Sequence, residues 1–206
     1  MGDTWGMVKA EREDLAQLLE SLTPEQWDTQ SLCSEWKVRD VVAHLISATE
    51  SPMGFMGPLV TSGFNYNKAS AKDAKRRGSV PPAELLKDFR TAIPSERTPP
   101  FTKPITLLAD TMVHAQDIRR PLGISRQIPA DRFRQASEYA KGVGFPMGTK
   151  KRIAGLTLKA TDMDWSTGSG PVVEGTGEAL LMMMGGRKSA LDDLSGEGKP
   201  TLASRF

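Results

Sequence analysis

The stretch Val38-Arg39-Asp40-Val41-Val42-Ala43-His44-Leu45-Ile46-Ser47-Ala48-Thr49 decides how this chain folds. Val38, Val41, Val42 and Leu45 recur at helical spacing, and no proline interrupts the run before Pro52, so the segment predicts an amphipathic helix with one buried face. His44 stands three residues after Val41 and directly before Leu45, at the border of the apolar stripe. A side chain there points into a helical bundle but beside its driest part.

Upstream, Leu15, Leu18, Leu19 and Leu22 repeat at i, i+3, i+4 and i+7 and predict a helix over about 5–22. Thr23-Pro24-Glu25-Gln26 follows: a hydroxyl cap, proline at the first helical position and Gln three residues after the cap, the pattern of a capping box. A short turn carrying Trp27 comes next. Downstream, residues 51–82 are rich in Gly, Pro, Ser and Asn, with Met53, Phe55, Met56, Leu59 and Phe64 interspersed, and read as a long irregular connection able to cover a pocket. A third helix is expected over about 82–93 through Leu85, Leu86 and Phe89, ended by Thr98-Pro99-Pro100. The fourth, about 104–120, carries Ile105, Leu108, Ala109, Met112 and Val113 on one side and Leu107 and Ile118 on the other, as a buried helix does, and stops at Pro121 and Gly123.

After Pro129 the texture changes. Residues 131–142 suit one more helix, 153–160 alternate apolar and polar residues like a half-buried strand, and Ser166-Thr167-Gly168-Ser169-Gly170-Pro171 is turn chemistry. A short strand around Val172 and Val173 and a helix over about 176–184 complete a small α+β region. The expected division is therefore a helical bundle over 1–128 and an α+β domain over 129–206.

Lys plus Arg number 27 against 25 for Asp plus Glu, a net charge of +2 with the basic residues scattered, which gives little reason to propose nucleic acid. The densest basic run, Lys72-Asp73-Ala74-Lys75-Arg76-Arg77, reads as solvated surface. With 38% hydrophobic and 25% charged residues the composition is that of an ordinary folded protein. No apolar run approaches the ~20 residues that cross a bilayer. The single cysteine, Cys33, excludes an internal disulfide, and a reducing cytoplasm is the expected compartment. Cys33 itself reads as a small packed residue, and Met182-Met183-Met184 as core.

The chain has two histidines, and both fall on helices expected to face the bundle interior. His114 lies four residues after Asp110, a spacing that brings a carboxylate and an imidazole about 5–6 Å apart at Cβ, within reach of one ion. His44 can supply a third ligand if its helix is a neighbour, leaving a coordination position open. Three protein ligands with an open position is how catalytic zinc is held, and the set also suits iron(II). The same spacing equally serves an ordinary Asp–His hydrogen bond and packed histidines. Asp117 is a rival ligand or an outer carboxylate orienting an imidazole. Asp40 raises the same question, with helix capping the simpler role for it. Arg119 and Arg120 follow the site and could meet an anionic ligand or pair with nearby acids.

The segments Leu22-Thr23-Pro24-Glu25-Gln26-Trp27 and Leu32-Cys33-Ser34-Glu35-Trp36-Lys37-Val38-Arg39-Asp40-Val41-Val42-Ala43-His44-Leu45 resemble the N-terminal domain of the mycothiol-dependent maleylpyruvate isomerase family, within the wider DinB-like bundles. Asp110-Thr111-Met112-Val113-His114-Ala115-Gln116-Asp117-Ile118-Arg119-Arg120-Pro121-Leu122-Gly123 resembles its second signature, and the tail from Gly155 through Asp164-Trp165-Ser166 to Gly186-Arg187 its C-terminal segment. The resemblance implies a mainly α fold: a DinB-like up-down four-helix bundle followed by a small sterol-carrier-like α+β domain. It implies a divalent ion, commonly zinc, on positions that match His44, Asp110 and His114, and a mycothiol-like thiol whose sulfur the ion holds as thiolate. Two positions depart from the pattern: Asp110 stands where Glu is frequent, and Lys37 where a capping Ser or Thr is common.

The expected function is accordingly a metal- and thiol-dependent transferase or isomerase acting on a small electrophile. A non-catalytic binding protein for metal and thiol conjugate is the alternative. Its partners would be small molecules, with neither nucleic acid nor membrane involved, and the protein a monomer or homodimer.

Overall fold

In the computed structural model, which describes residues 3–50, 53–100, 102–144 and 147–206, the chain divides into two compact units, Met1–Ser125 and Arg126–Phe206. The first is helical. Helix α1 (Thr4–Ser21) starts where Asp3 accepts a hydrogen bond from Gly6 N–H, and α2 (Pro24–Trp27) is a single turn held by both halves of the Thr23/Gln26 capping box. Helix α3 (Val38–Ser47) has no side-chain cap at Lys37. Instead Asp40 turns back to accept the Lys37 backbone N–H at 2.9 Å, which replaces part of what a capping hydroxyl would supply.

The region expected to be irregular is instead largely helical: α4 (Met53–Thr61) and α5 (Tyr66–Gly78), with Ser51 and Pro52 outside the described residues. The physical reason lies in α5. Its buried face is made of small side chains, Ala69, Ser70 and Ala74, which give no strong apolar period, and Asn65 caps it by accepting from Lys68 N–H. The basic run is part of this helix rather than a solvated loop. Buried Asp73 accepts from Arg76 at 2.7 Å and from Arg77 at 2.8 Å, and Arg77 also pairs with Glu50. Helix α5 ends tight against the start of α3, where a Cβ on Gly78 would collide with the Asp40 carboxylate.

Helices α6 (Pro82–Ala92) and α7 (Pro104–Arg119) complete the unit. α1 packs against α7 and α6, and α3 against the same two, so the four close a ring around Leu15, Leu19, Val38, Val41, Val42, Leu85, Phe89 and Ile118. Each of these fully buried side chains contributes roughly 1.5–3 kcal/mol. Buried Arg12 donates to the carbonyls of Ala92, Ile93 and Ser95, placing a cation on the otherwise unsatisfied end of α6.

The second unit contains α8 (Ala130–Ala140), the one-turn α9 (Thr149–Arg152), a three-stranded sheet, α10 (Gly177–Met184), a 3-10 helix (Lys188–Asp193) and α11 (Lys199–Ala203). The sheet runs in the order β2 (Ser166–Gly168), β1 (Thr157–Ala160), β3 (Val172–Gly175), with β1 antiparallel to β2 and parallel to β3. Part of the expected turn is thus strand β2. Ser166 to Gly168 pair with Lys159 to Thr157, and position 168 requires glycine because its φ is +91° and a Cβ there would strike the Leu156 carbonyl. Met182, Met183 and Met184 are buried, as their place in an apolar helix predicts.

Candidate metal centre

α3 and α7 pack against each other, and their polar borders meet. Asp110 and His114 lie one turn apart on α7, with the His114 Nε2 3.5 Å from Asp110 Oδ1. His44 arrives from α3 with its Nε2 3.8 Å from Asp110 Oδ2. The shorter aspartate arm therefore sits between both imidazoles, one oxygen toward each. The three ligand atoms all lie within 4.8 Å of one another. Atoms bound to one tetrahedral ion at ~2.0–2.2 Å stand roughly 3.3–3.6 Å apart, so small rotations would bring this set to ligand geometry. The His44 side chain is 16% exposed and that of Asp110 34%, against 9% for His114, so the group opens to solvent on one side.

Behind His114 the chemistry differs. Its Nδ1 is 2.8 Å from Oδ2 of fully buried Asp117, and the Cys33 thiol donates to the same oxygen at 3.3 Å while lying 3.8 Å from Nδ1. Cys33, His114 and Asp117 thus form a second cluster of potential ligands. A separation of 2.8 Å is that of a charge-assisted hydrogen bond and leaves the nitrogen and oxygen turned to each other rather than to a shared ion. An ionised carboxylate only accepts, so Nδ1 carries the proton and Nε2 is the nitrogen that faces Asp110.

Burial by itself would lower the His114 pKa. The charge of Asp110, the hydrogen bonds with Asp117 and Cys33 and the charge of Asp117 outweigh it and push the value up to about 10. The pocket stabilises positive charge at this ring, whether a proton or a cation brings it.

The loop before α3 delivers the remaining walls. Gln30 and Lys37 form an isolated bridge, the Gln30 side-chain amide donates to the carbonyls of Ser31, Cys33 and Trp36, and Leu32 N–H donates to the Asp117 carbonyl at 3.0 Å. That knot sets Cys33 over α7 and lays the Trp36 ring 4.8 Å from His44 and 5.8 Å from His114, between centroids. From α5, Ser70 brings its hydroxyl within 3.4 Å of His44 Nδ1.

Of the residues singled out from sequence, His44, Asp110, His114 and Asp117 come together. Asp40 is occupied at the start of α3 and belongs to neither cluster. Arg119 is buried and Arg120 half-buried at the end of α7, and both are engaged with other groups. Cys33, which the sequence reads as a small packed residue, joins the site together with Trp36 and Ser70. Cys33 is 81 positions from His114 and Ser70 is 26 from His44 on a segment without helical period, so no local pattern marks either.

Residues 8–98 match the family model of the mycothiol maleylpyruvate isomerase N-terminal domain. Two crystal structures of the mycothiol-dependent maleylpyruvate isomerase, one of them a histidine-to-alanine mutant, share the fold over 96% of this chain and 92% of theirs. Their TM-scores are 0.63 and 0.62, at 15% and 13% identity, the mutant having the lower of each. No curated protein matches the sequence. Among the described residues, no helix is long and apolar enough to cross a membrane.

Proposed function

Because residues 8–98 match the model of the mycothiol maleylpyruvate isomerase N-terminal domain, we propose that the chain is a divalent-metal-dependent enzyme using a mycothiol-like thiol to isomerise, or transfer to, a small electrophile. The observation that carries the proposal is the convergence of His44 Nε2, Asp110 and His114 Nε2 from two helices, with a solvent-facing side. The donor set, two neutral imidazole nitrogens and one carboxylate, fits zinc and leaves a position for a fourth ligand.

A divalent ion held there supplies positive charge that keeps a bound thiol deprotonated near neutral pH, where a free thiol of pKa near 8.5 is mostly protonated. The protein's own part is orientation. Asp117 holds the proton on His114 Nδ1 and so turns Nε2 toward Asp110, where a bound ion would take the place of the Nε2 proton. Ser70 stands at the corresponding nitrogen of His44. The Trp36 ring walls the two imidazoles on one flank.

The test uses the full chain purified without chelators or metal-binding tags. Elemental analysis is expected to find about one equivalent of divalent metal, and calorimetry to find saturable mycothiol binding that chelation abolishes. Turnover is then assayed with maleylpyruvate first and other activated alkenes after it. Absence of stoichiometric metal in protein refolded or loaded with zinc overturns the assignment. Metal and thiol binding with no turnover on any electrophile favours a binding protein of the same fold.

A further inference from the structure

The second unit holds an open cleft of about 710 Å³ lined by Gly148, Lys151, Arg152, Ser204, Arg205 and Phe206, with no carboxylate side chain among them. Helix α9 delivers Lys150, Lys151 and Arg152 in one turn. The Arg152 guanidinium lies 4.2 Å over the Phe206 ring and donates to the carbonyls of Met183 at 3.4 Å and Met147 at 3.0 Å. Its Nε is buried without a hydrogen-bond partner among the described residues. Arg205 Nη1 donates to the carbonyls of Arg152 and Ala154, both at 2.7 Å, closing the end of α9.

Both guanidinium groups are therefore fixed by neutral carbonyls, and no acidic side chain pairs with either among the described residues. Burial lowers the Arg152 pKa with no opposing carboxylate charge, although a guanidinium stays ionised in a protein. Two immobilised forks with no acidic side-chain partner, flanked by an exposed lysine, make a preorganised field for an anion, since planar guanidinium donors match paired oxygens. Ser204 does not add a donor, because its hydroxyl is already given to the Thr201 carbonyl at 2.8 Å.

We propose that this cleft binds a small doubly charged oxyanion, a phosphate monoester or a dicarboxylate. The free N–H groups of Arg205 and the Lys151 ammonium make the contacts, and Arg152 supplies the field from the cleft wall. This inference does not rest on the proposed thiol chemistry.

The test is amide NMR of the full chain titrated with inorganic phosphate and with malonate at ionic strength held constant with chloride. At least one dianion is expected to saturate shifts at 148–152 and 204–206 with an affinity about tenfold above that of chloride. Arg205→Gln is expected to weaken it about tenfold, the effect of one charged hydrogen-bonding group. Saturation by phosphate alone identifies a phosphate monoester as the ligand class, and by malonate alone a dicarboxylate. Lys151→Gln, at an exposed position, repeats the measurement should Arg205→Gln disturb the fold. Dianions no better than chloride, or affinity unchanged in both variants, overturns the proposal.

Discussion

His114 and His44 face the same carboxylate from two helices, yet the protein holds them differently. On the α7 side, His114 is buried and its Nδ1 is bonded at 2.8 Å to Asp117, whose side chain is wholly buried. On the α3 side, His44 is partly exposed, its Nδ1 is 3.4 Å from a serine hydroxyl, and an indole ring flanks it. A short bond to a buried carboxylate locks a ring and raises the basicity of its other nitrogen, whereas a long bond to a hydroxyl only steers it. The difference teaches that the His114 ring is fixed by a buried carboxylate of its own helix, whereas the His44 ring is oriented from a neighbouring helix, α5.

Four substitutions would break or sharpen that contrast. His114→Ala removes a proposed ligand and its bond to Asp117. Stoichiometric metal should vanish from elemental analysis while circular dichroism keeps most of the helix signal, because the apolar ring around Leu15, Val41 and Phe89 does not include His114. Retained metal would mean that His114 is not a ligand.

Asp117→Asn keeps the shape but weakens the bond at Nδ1. Zinc affinity, measured by chelator competition, should fall about 10–100-fold, as expected when the outer partner of a ligating histidine is lost. An unchanged affinity would erase the distinction between the two sides.

Ser70→Ala on the looser side should cost about 1 kcal/mol, roughly fivefold in the same competition, the net worth of one hydrogen bond. A loss as large as that of Asp117→Asn would show His44 to be as firmly held as His114. If the ion sits on His44, Asp110 and His114, Cys33→Ser should change zinc affinity by only about twofold, since the thiol then serves as a weak donor to Asp117. Metal lost on this change would move the centre to Cys33, His114 and Asp117.

Much of the fold is legible before any coordinates. The leucine stripe of α1, the Thr23 capping box, the period of α3 and the all-round apolarity of α7 are local patterns, and the helices follow them to within a residue or two. Helices α4 and α5 escape notice because their evidence is not local. Buried positions of α5 hold alanines and a serine, and a buried aspartate clamps two arginines of its own helix, so no hydrophobic period marks it. Strand β2 escapes for a similar reason, since three residues rich in Gly and Ser become strand only by pairing with β1.

The site divides along the same line. Asp110 and His114 stand four apart on one helix and His44 sits at the border of an apolar face, so the periodicity sets Asp110 and His114 on one side of α7 and His44 beside the buried face of α3. Their meeting depends on α3 and α7 being neighbours in the ring. Cys33 and Ser70 depend wholly on tertiary structure: one is carried by a loop knotted to α7 through Leu32, the other by a helix docked on α3 through small side chains. Sequence records the period of a helix because each turn obeys the same backbone geometry. It carries no such record of which faces pack together, because that choice is made by the fit of whole surfaces far apart in the chain.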